Sequence, residues 1–121
     1  MIPEALQRLI RDNLKSVWAL ELLLLMSRER ARSWSADDLN RELRGSLGLV
    51  ADLLAKFKQA GLVTEESGQY RYRAATAELE RAVHELEAAY AARPLAVVKA
   101  VLAAPNEKIQ TFADAFKVKK D

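Results

Sequence analysis

The chain has 121 residues, half of them apolar and 30% charged, with a net charge of +2 and a pI near 9.0. That length holds one domain, or one domain plus an extension, with enough apolar material for a core. The absence of cysteine excludes disulfides, thiolate chemistry and Cys-based zinc sites. The longest apolar run, Trp18 to Met26, is interrupted by Glu21 and falls far short of the roughly 20 residues that span a bilayer. No basic segment followed by an apolar run and a small-residue cleavage site opens the chain, so the expected location is the cytoplasm, with no membrane partner.

In chain order, Leu6, Leu9 and Ile10 mark one face of a first helix that tolerates Pro3 in its opening turn and ends near Asp12-Asn13. A second helix runs from about Leu14 or Ser16 to Glu29. Trp18, Leu22, Leu25 and Met26 are spaced for burial, and the density of leucine predicts a helix covered on most sides. Arg28 to Arg32 is a charged turn, and Ser33-Trp34 fits a very short strand. Ser35 followed by Asp37 and Asp38 approximates a capping box for a third helix with Leu39 and Leu43 inward.

Arg44-Gly45 then makes a turn, and Ser46 is the expected N-cap of a helix from Leu47 to Ala60 with Val50, Leu53, Leu54 and Phe57 inward. Gly61 stops it. Leu62–Glu65 is predicted as a strand, Glu66-Ser67-Gly68 as the turn, and Gln69–Arg73 as the returning strand. In that strand alternation puts Tyr70 and Tyr72 on one side and Arg71 and Arg73 on the other.

Thr76 caps a further helix in which Leu79, Val83, Leu86 and Tyr90 follow the seam spacing of a coiled coil. That seam serves either a homodimer or packing on the first helix of the same chain. Arg93-Pro94 breaks the run. Leu95, Val98, Val101 and Leu102 predict a short amphipathic helix, and Ile109, Phe112, Ala113 and Phe116 a last one after Pro105-Asn106. The tail carries Lys117, Lys119 and Lys120.

The order helix, turn, helix, hairpin predicts a mainly α fold with a small β-hairpin. The segment carried by Leu39, Leu43, Val50, Leu54, Phe57, Ala60, Gly61, Leu62 and Val63 resembles the helix-turn-helix of MarR-like winged-helix transcriptional regulators, in which a helix ending in Ala-Gly-Leu-Val leads directly into the wing. The resemblance covers Trp18 to Arg73. It implies a winged helix-turn-helix domain over residues 1–75, including an N-terminal helix, and a C-terminal helical extension over 76–121. It also implies a non-enzymatic, DNA-binding regulator whose partners are double-stranded DNA and a second copy of the chain.

On that reading the DNA ligands are Arg41, Arg44, Ser46, Lys56, Gln69, Arg71 and Arg73, with Lys58 a further candidate for phosphate. Phosphate contacts position a protein on the duplex and make binding salt-dependent. The base-reading positions at the start of the fourth helix are poor in hydrogen-bonding side chains: Ser46, Leu47, Gly48, Leu49, Ala51 and Asp52. The alternative is therefore a protein-interaction module on the same scaffold, meeting its partner through Leu47 and Leu49. The single histidine, His84, and Glu78, Glu80, Glu85 and Glu87 read as helix surface. No Walker, nucleophile-elbow or zincin pattern occurs, so catalytic residues, metals and cofactors are not expected.

Overall fold

The computed structural model describes residues 3–103, apart from the side chain of Leu47. The last predicted helix, around Ile109–Phe116, lies outside them. The elements are α1 (Glu4–Asn13), α2 (Val17–Arg28), α3 (Ala36–Leu43), α4 (Leu47–Ala60), β1 (Val63–Glu66), β2 (Gln69–Tyr72), α5 (Ala77–Ala92) and α6 (Pro94–Ala103). The chain is mainly helical, with a small antiparallel sheet.

Hydroxyl caps start four of the helices. Ser16, Ser35, Ser46 and Thr76 each accept a hydrogen bond from the backbone N–H three residues on, at 3.0–3.2 Å. Such caps contribute about 1 kcal/mol each. At Ser35 the motif is a full capping box. The Asp38 carboxylate accepts from the Ser35 N–H and is held below its usual pKa first by that bond, and then by the Ser35 hydroxyl.

The end of α4 needs glycine. Gly61 takes φ 83°, and a Cβ there would meet the Ala75 Cβ at 2.9 Å. The hairpin that follows turns through Ser67 (φ 52°) and Gly68 (φ 78°). Two consecutive positive φ angles match the right-handed twist of the strands. The turn is thus one residue shorter than the predicted Glu66-Ser67-Gly68, and Glu66 pairs with Gln69 as the last rung of the ladder.

Trp34 supplies a third strand of one residue. It pairs with Tyr70 through both backbone hydrogen bonds, at 2.8 and 2.7 Å. The sheet order is therefore β1, β2, Trp34. Alternation sends Tyr72 into the core and leaves Tyr70 half-buried, while Thr64, Glu66, Gln69 and Arg71 form the outer face.

One hydrophobic cluster runs from Leu6 in α1 to Val101 in α6. At its centre is α2, whose Ala19, Leu20, Leu22, Leu23, Leu24, Met26 and Ser27 are all buried. The segment after residue 75 shares this core: α5 lies against α1, and α6 against α5 and α2. Val83 and Leu86 are fully buried within the chain, and Leu79 and Tyr90 are half-buried against the same cluster. Of the two uses open to the seam, packing within the same chain is the one seen for Val83 and Leu86. Val83 and Leu86 have no surface to offer a second copy, because they cover the core of their own chain.

In α6 the predicted apolar face also changes. Val97 and Val101, four residues apart, are the buried pair, while Leu95 and Leu102 stay 74% and 64% exposed.

Charged side chains tie the α2–α3 connection down. Arg28, Arg30 and Arg32 stand over the rings of Tyr90, Tyr72 and Trp34, at 5.7, 4.8 and 3.6 Å from their centroids. Arg30 also pairs with Glu80 and with Glu87. The buried Ser27 hydroxyl donates to Glu87 at 2.9 Å. Glu78 reaches Arg8 of α1 at 3.1 Å. Three carboxylates of α5 that read as a solvated helix face are therefore engaged by other elements.

Two outcomes are expected. Leu86→Ala costs about 2–5 kcal/mol, measured by urea denaturation, and costs the same at low and high protein concentration. The second concerns the Tyr72 phenol, which makes no well-formed hydrogen bond and is pushed up to about 12, first by burial and then by the nearby Glu80 carboxylate. The folded chain holds this proton more tightly than the unfolded one. That contribution is complete below roughly pH 10 and is lost as the pH rises through about 12. Tyr72→Phe is expected to flatten the alkaline fall in stability.

Candidate nucleic-acid interface

The predicted DNA ligands fall on α3, the α3–α4 turn, α4 and the hairpin. The structure divides them by what they already hold. Arg41 is spent on Asp38, one turn back along α3. Lys58 donates to Glu65 of β1 at 2.8 Å, which raises the lysine pKa and lowers that of the glutamate. Arg44, Lys56, Arg71 and Arg73 are exposed, and none of them has an ion-pair partner among the described residues. Ser46 Oγ caps α4 by accepting the Leu49 N–H, which leaves its own O–H available to donate.

Gln69 and Arg71 come together. With Ser33, Thr64, Glu66 and Ser67 they border a shallow depression of about 310 Å³ on the outer face of the sheet. Arg73 is elsewhere. β2 ends at Tyr72, and Arg73 borders a separate depression at the base of the hairpin with Lys58, Val63, Thr64 and Glu65. Arg73 follows the last residue of β2, its N–H donating to the Leu62 carbonyl at 3.0 Å, and Thr64 borders both depressions. Lys56 lies on the flank of α4 that faces the α1–α2 corner, in a groove with Asp52, Gln59, Asp12 and Lys15.

The first two turns of α4 are short of polar side chains. Gly48, Ala51 and Asp52 are exposed and Leu49 is half-buried. A Cβ at Gly45 would lie 3.6 Å from the Trp18 ring and 3.8 Å from Leu49 Cδ2. Trp18, which is 38% exposed, and Leu49 therefore flank the turn. Sequence patterning placed Trp18 among the packing residues of α2, and its position at the helix start leaves one edge of the ring uncovered.

Gly45 does not supply the turn's unusual backbone. That falls to Arg44, which adopts φ 57° and ψ 36° as the C-cap of α3. A left-handed arginine costs roughly 1–2 kcal/mol relative to a relaxed backbone, and such strain clusters where a side chain is used.

Among the described residues no group of three or more His, Cys, Asp or Glu is placed to hold a metal ion, and no helix is long and apolar enough to cross a membrane. His84 is exposed on α5. Comparisons with protein-family models, curated proteins and solved structures found no match.

Arg44→Gly separates strain from function. It is expected to stabilise the fold by a few tenths to about 1 kcal/mol, read as an upward shift of the thermal midpoint. Arg44→Ala keeps the left-handed strain and is not expected to stabilise.

Proposed function

We propose that this chain is a winged helix-turn-helix protein that binds double-stranded DNA mainly through the phosphate backbone, as a transcriptional regulator acting in the cytoplasm. In this reading α3 and α4 are the helix-turn-helix pair, the β1–β2 hairpin is the wing, and α4 enters the major groove. The observation that carries it is the state of the arginines. On the face formed by α3, the turn, α4 and the hairpin, Arg44, Arg71 and Arg73 stand free of carboxylates while Arg41 is ion-paired; elsewhere among the described residues Arg8, Arg11, Arg30 and Arg32 are paired and Arg28, Arg81 and Arg93 are not. A strained arginine in the turn supports the same reading.

The contacts this set can make are of the positioning kind. Ser46, Gly48, Ala51 and Asp52 include no side chain that bonds a base edge through two donors, and Asp52 repels phosphate. The protein should therefore bind duplex with little preference among sequences. With about four phosphates neutralised by Arg44, Lys56, Arg71 and Arg73, log K should fall with log salt at a slope near −4. Arg71→Ala with Arg73→Ala should reduce that slope by about 2, in a gel-shift on random duplex at several salt concentrations. A wild type that shows no salt-sensitive retardation at low ionic strength overturns the proposal.

A second reading, a protein-interaction module that never touches DNA, is favoured by one observation. The start of α4 offers Gly48, Leu49 and Ala51 beside the exposed edge of Trp18. Under it, Leu47→Asp with Leu49→Asp disrupts a partner complex, and duplex binding is absent in the wild type.

A further inference from the structure

The helix α4 lies between two other parts of the fold. Val50, Leu53, Leu54 and Phe57 are its buried side. Lys56 and Lys58, two residues apart in sequence, stand about 200° apart around the helix and so occupy opposite flanks. Lys58 reaches Glu65 of β1 at 2.8 Å, which makes its flank the hairpin side. Lys56 turns the other way, into a groove of about 510 Å³ that Asn13, Lys15 and Ser16 of the α1–α2 corner also line. Between the flanks, Gly48, Ala51 and Ala55 are exposed and small.

Lys15 is exposed but stands on a fixed backbone. On one side of it Leu14 is fully buried, with its N–H donating to the Ile10 carbonyl at 3.1 Å. On the other, the Ser16 hydroxyl accepts the Ala19 N–H at 3.1 Å. Neither Lys15 nor Lys56 has an ion-pair partner among the described residues. Of the two carboxylates in the groove, Asp12 is held by Arg11 at 3.2 Å. Asp52 alone is left against two free lysines, so the groove carries an excess of positive charge.

We propose that the α1–α2 corner is a second phosphate clamp, in which Lys15 and Lys56 hold the DNA strand on the far side of the major groove from the strand held by the hairpin. The proposal rests on the duplex-binding reading above and adds to it one residue, Lys15, and a place for each strand. A helix with its side chains is about 10–12 Å across, and the major groove is about 12 Å wide. A helix lying in it therefore brings the phosphates of both strands against its flanks. The hairpin arginines serve one flank, and the free lysines of the corner serve the other. The small side chains on the outward face of α4 let it enter deeply enough for both contacts. Asp52 opposes the clamp, which gives the test a substitution of opposite sign.

The test is a gel-shift on short random duplex over a range of salt concentrations, using the full chain. Lys15 adds one phosphate to the four already counted, which brings the wild-type slope to about −4.5. Lys15→Ala should lower the slope by about 0.9, and Lys15→Ala with Lys56→Ala by about 1.8. Lys99→Ala, on α6 and outside the groove, removes the same charge and should leave the slope unchanged. Asp52→Asn should tighten binding a few-fold at low salt and less as salt rises. On a duplex with methylphosphonates throughout one strand, only one flank meets charge, and the wild-type slope should fall by about 1.8. Circular dichroism checks that each variant is folded. A wild type that binds with the expected salt sensitivity, but whose slope Lys15→Ala leaves unchanged, overturns the clamp and leaves the hairpin reading standing. So does a Lys99→Ala variant that loses as much slope as Lys15→Ala, an Asp52→Asn variant that binds no tighter, or a slope indifferent to one neutral strand. A wild type without salt-sensitive binding overturns both readings.

Discussion

The helix α2 has to be covered on almost every side, and the rest of the fold is arranged around that requirement. Six apolar side chains and one serine of its twelve residues are buried. A helix with that much apolar surface cannot rest on a single partner. It is enclosed by α3, by β2 of the hairpin and by α6. The one polar group caught inside, the Ser27 hydroxyl, must be bonded or it destabilises the core. Its bond to Glu87 holds α5 at a fixed position, and Arg30 takes the other oxygen of the same carboxylate. Apolar coverage therefore brings the elements together, and a short polar chain sets where α5 stops along α2.

Much of this was readable from residue order. Periodic leucines, Ser and Thr caps, Gly61 and the Ser-Gly turn are local signals, and they placed each described helix and strand to within a few residues. The short strand at Ser33-Trp34, between the charged turn and the Ser35 cap, was likewise visible. What local signals lack is the identity of the covering partner. The spacing of Leu79, Val83, Leu86 and Tyr90 reports a buried stripe and nothing about whether the cover comes from the same chain. Here α1 supplies it. In α6 nearly every residue is apolar, so periodicity could not choose between the Val97–Val101 side and the Leu95–Leu102 side. The candidate site was legible in residue type only. Pairing of Lys58 with Glu65 depends on where the hairpin lies beside α4, which no local signal in the sequence gives.

The arginines show how one residue type is put to two uses. Arg28, Arg30 and Arg32 alternate along the α2–α3 connection and lie over Tyr90, Tyr72 and Trp34. A planar guanidinium covers an aromatic face while its edge still bonds carboxylates, which lysine cannot do. The Arg30 position does both, over Tyr72 and onto Glu80 and Glu87. These arginines form an outer skin over the aromatic part of the core. Arg44, Arg71 and Arg73 lie over no ring and hold no acid, so their charge faces outward.

The tie between Trp34 and Tyr70 has a mechanical consequence. It anchors β2 one residue from Gln69, where the ladder ends, so only the tip around Ser67-Gly68 projects past the braced part of the sheet. The hairpin is then a stub fixed at two points, not a tether that can swing. Anything it touches must approach within a side chain's reach of Gln69 and Arg71, and a surface a few ångströms too distant is out of range. Tolerance for the shape of a binding surface is correspondingly narrow, and it is set by a single tryptophan over thirty residues upstream of the tip.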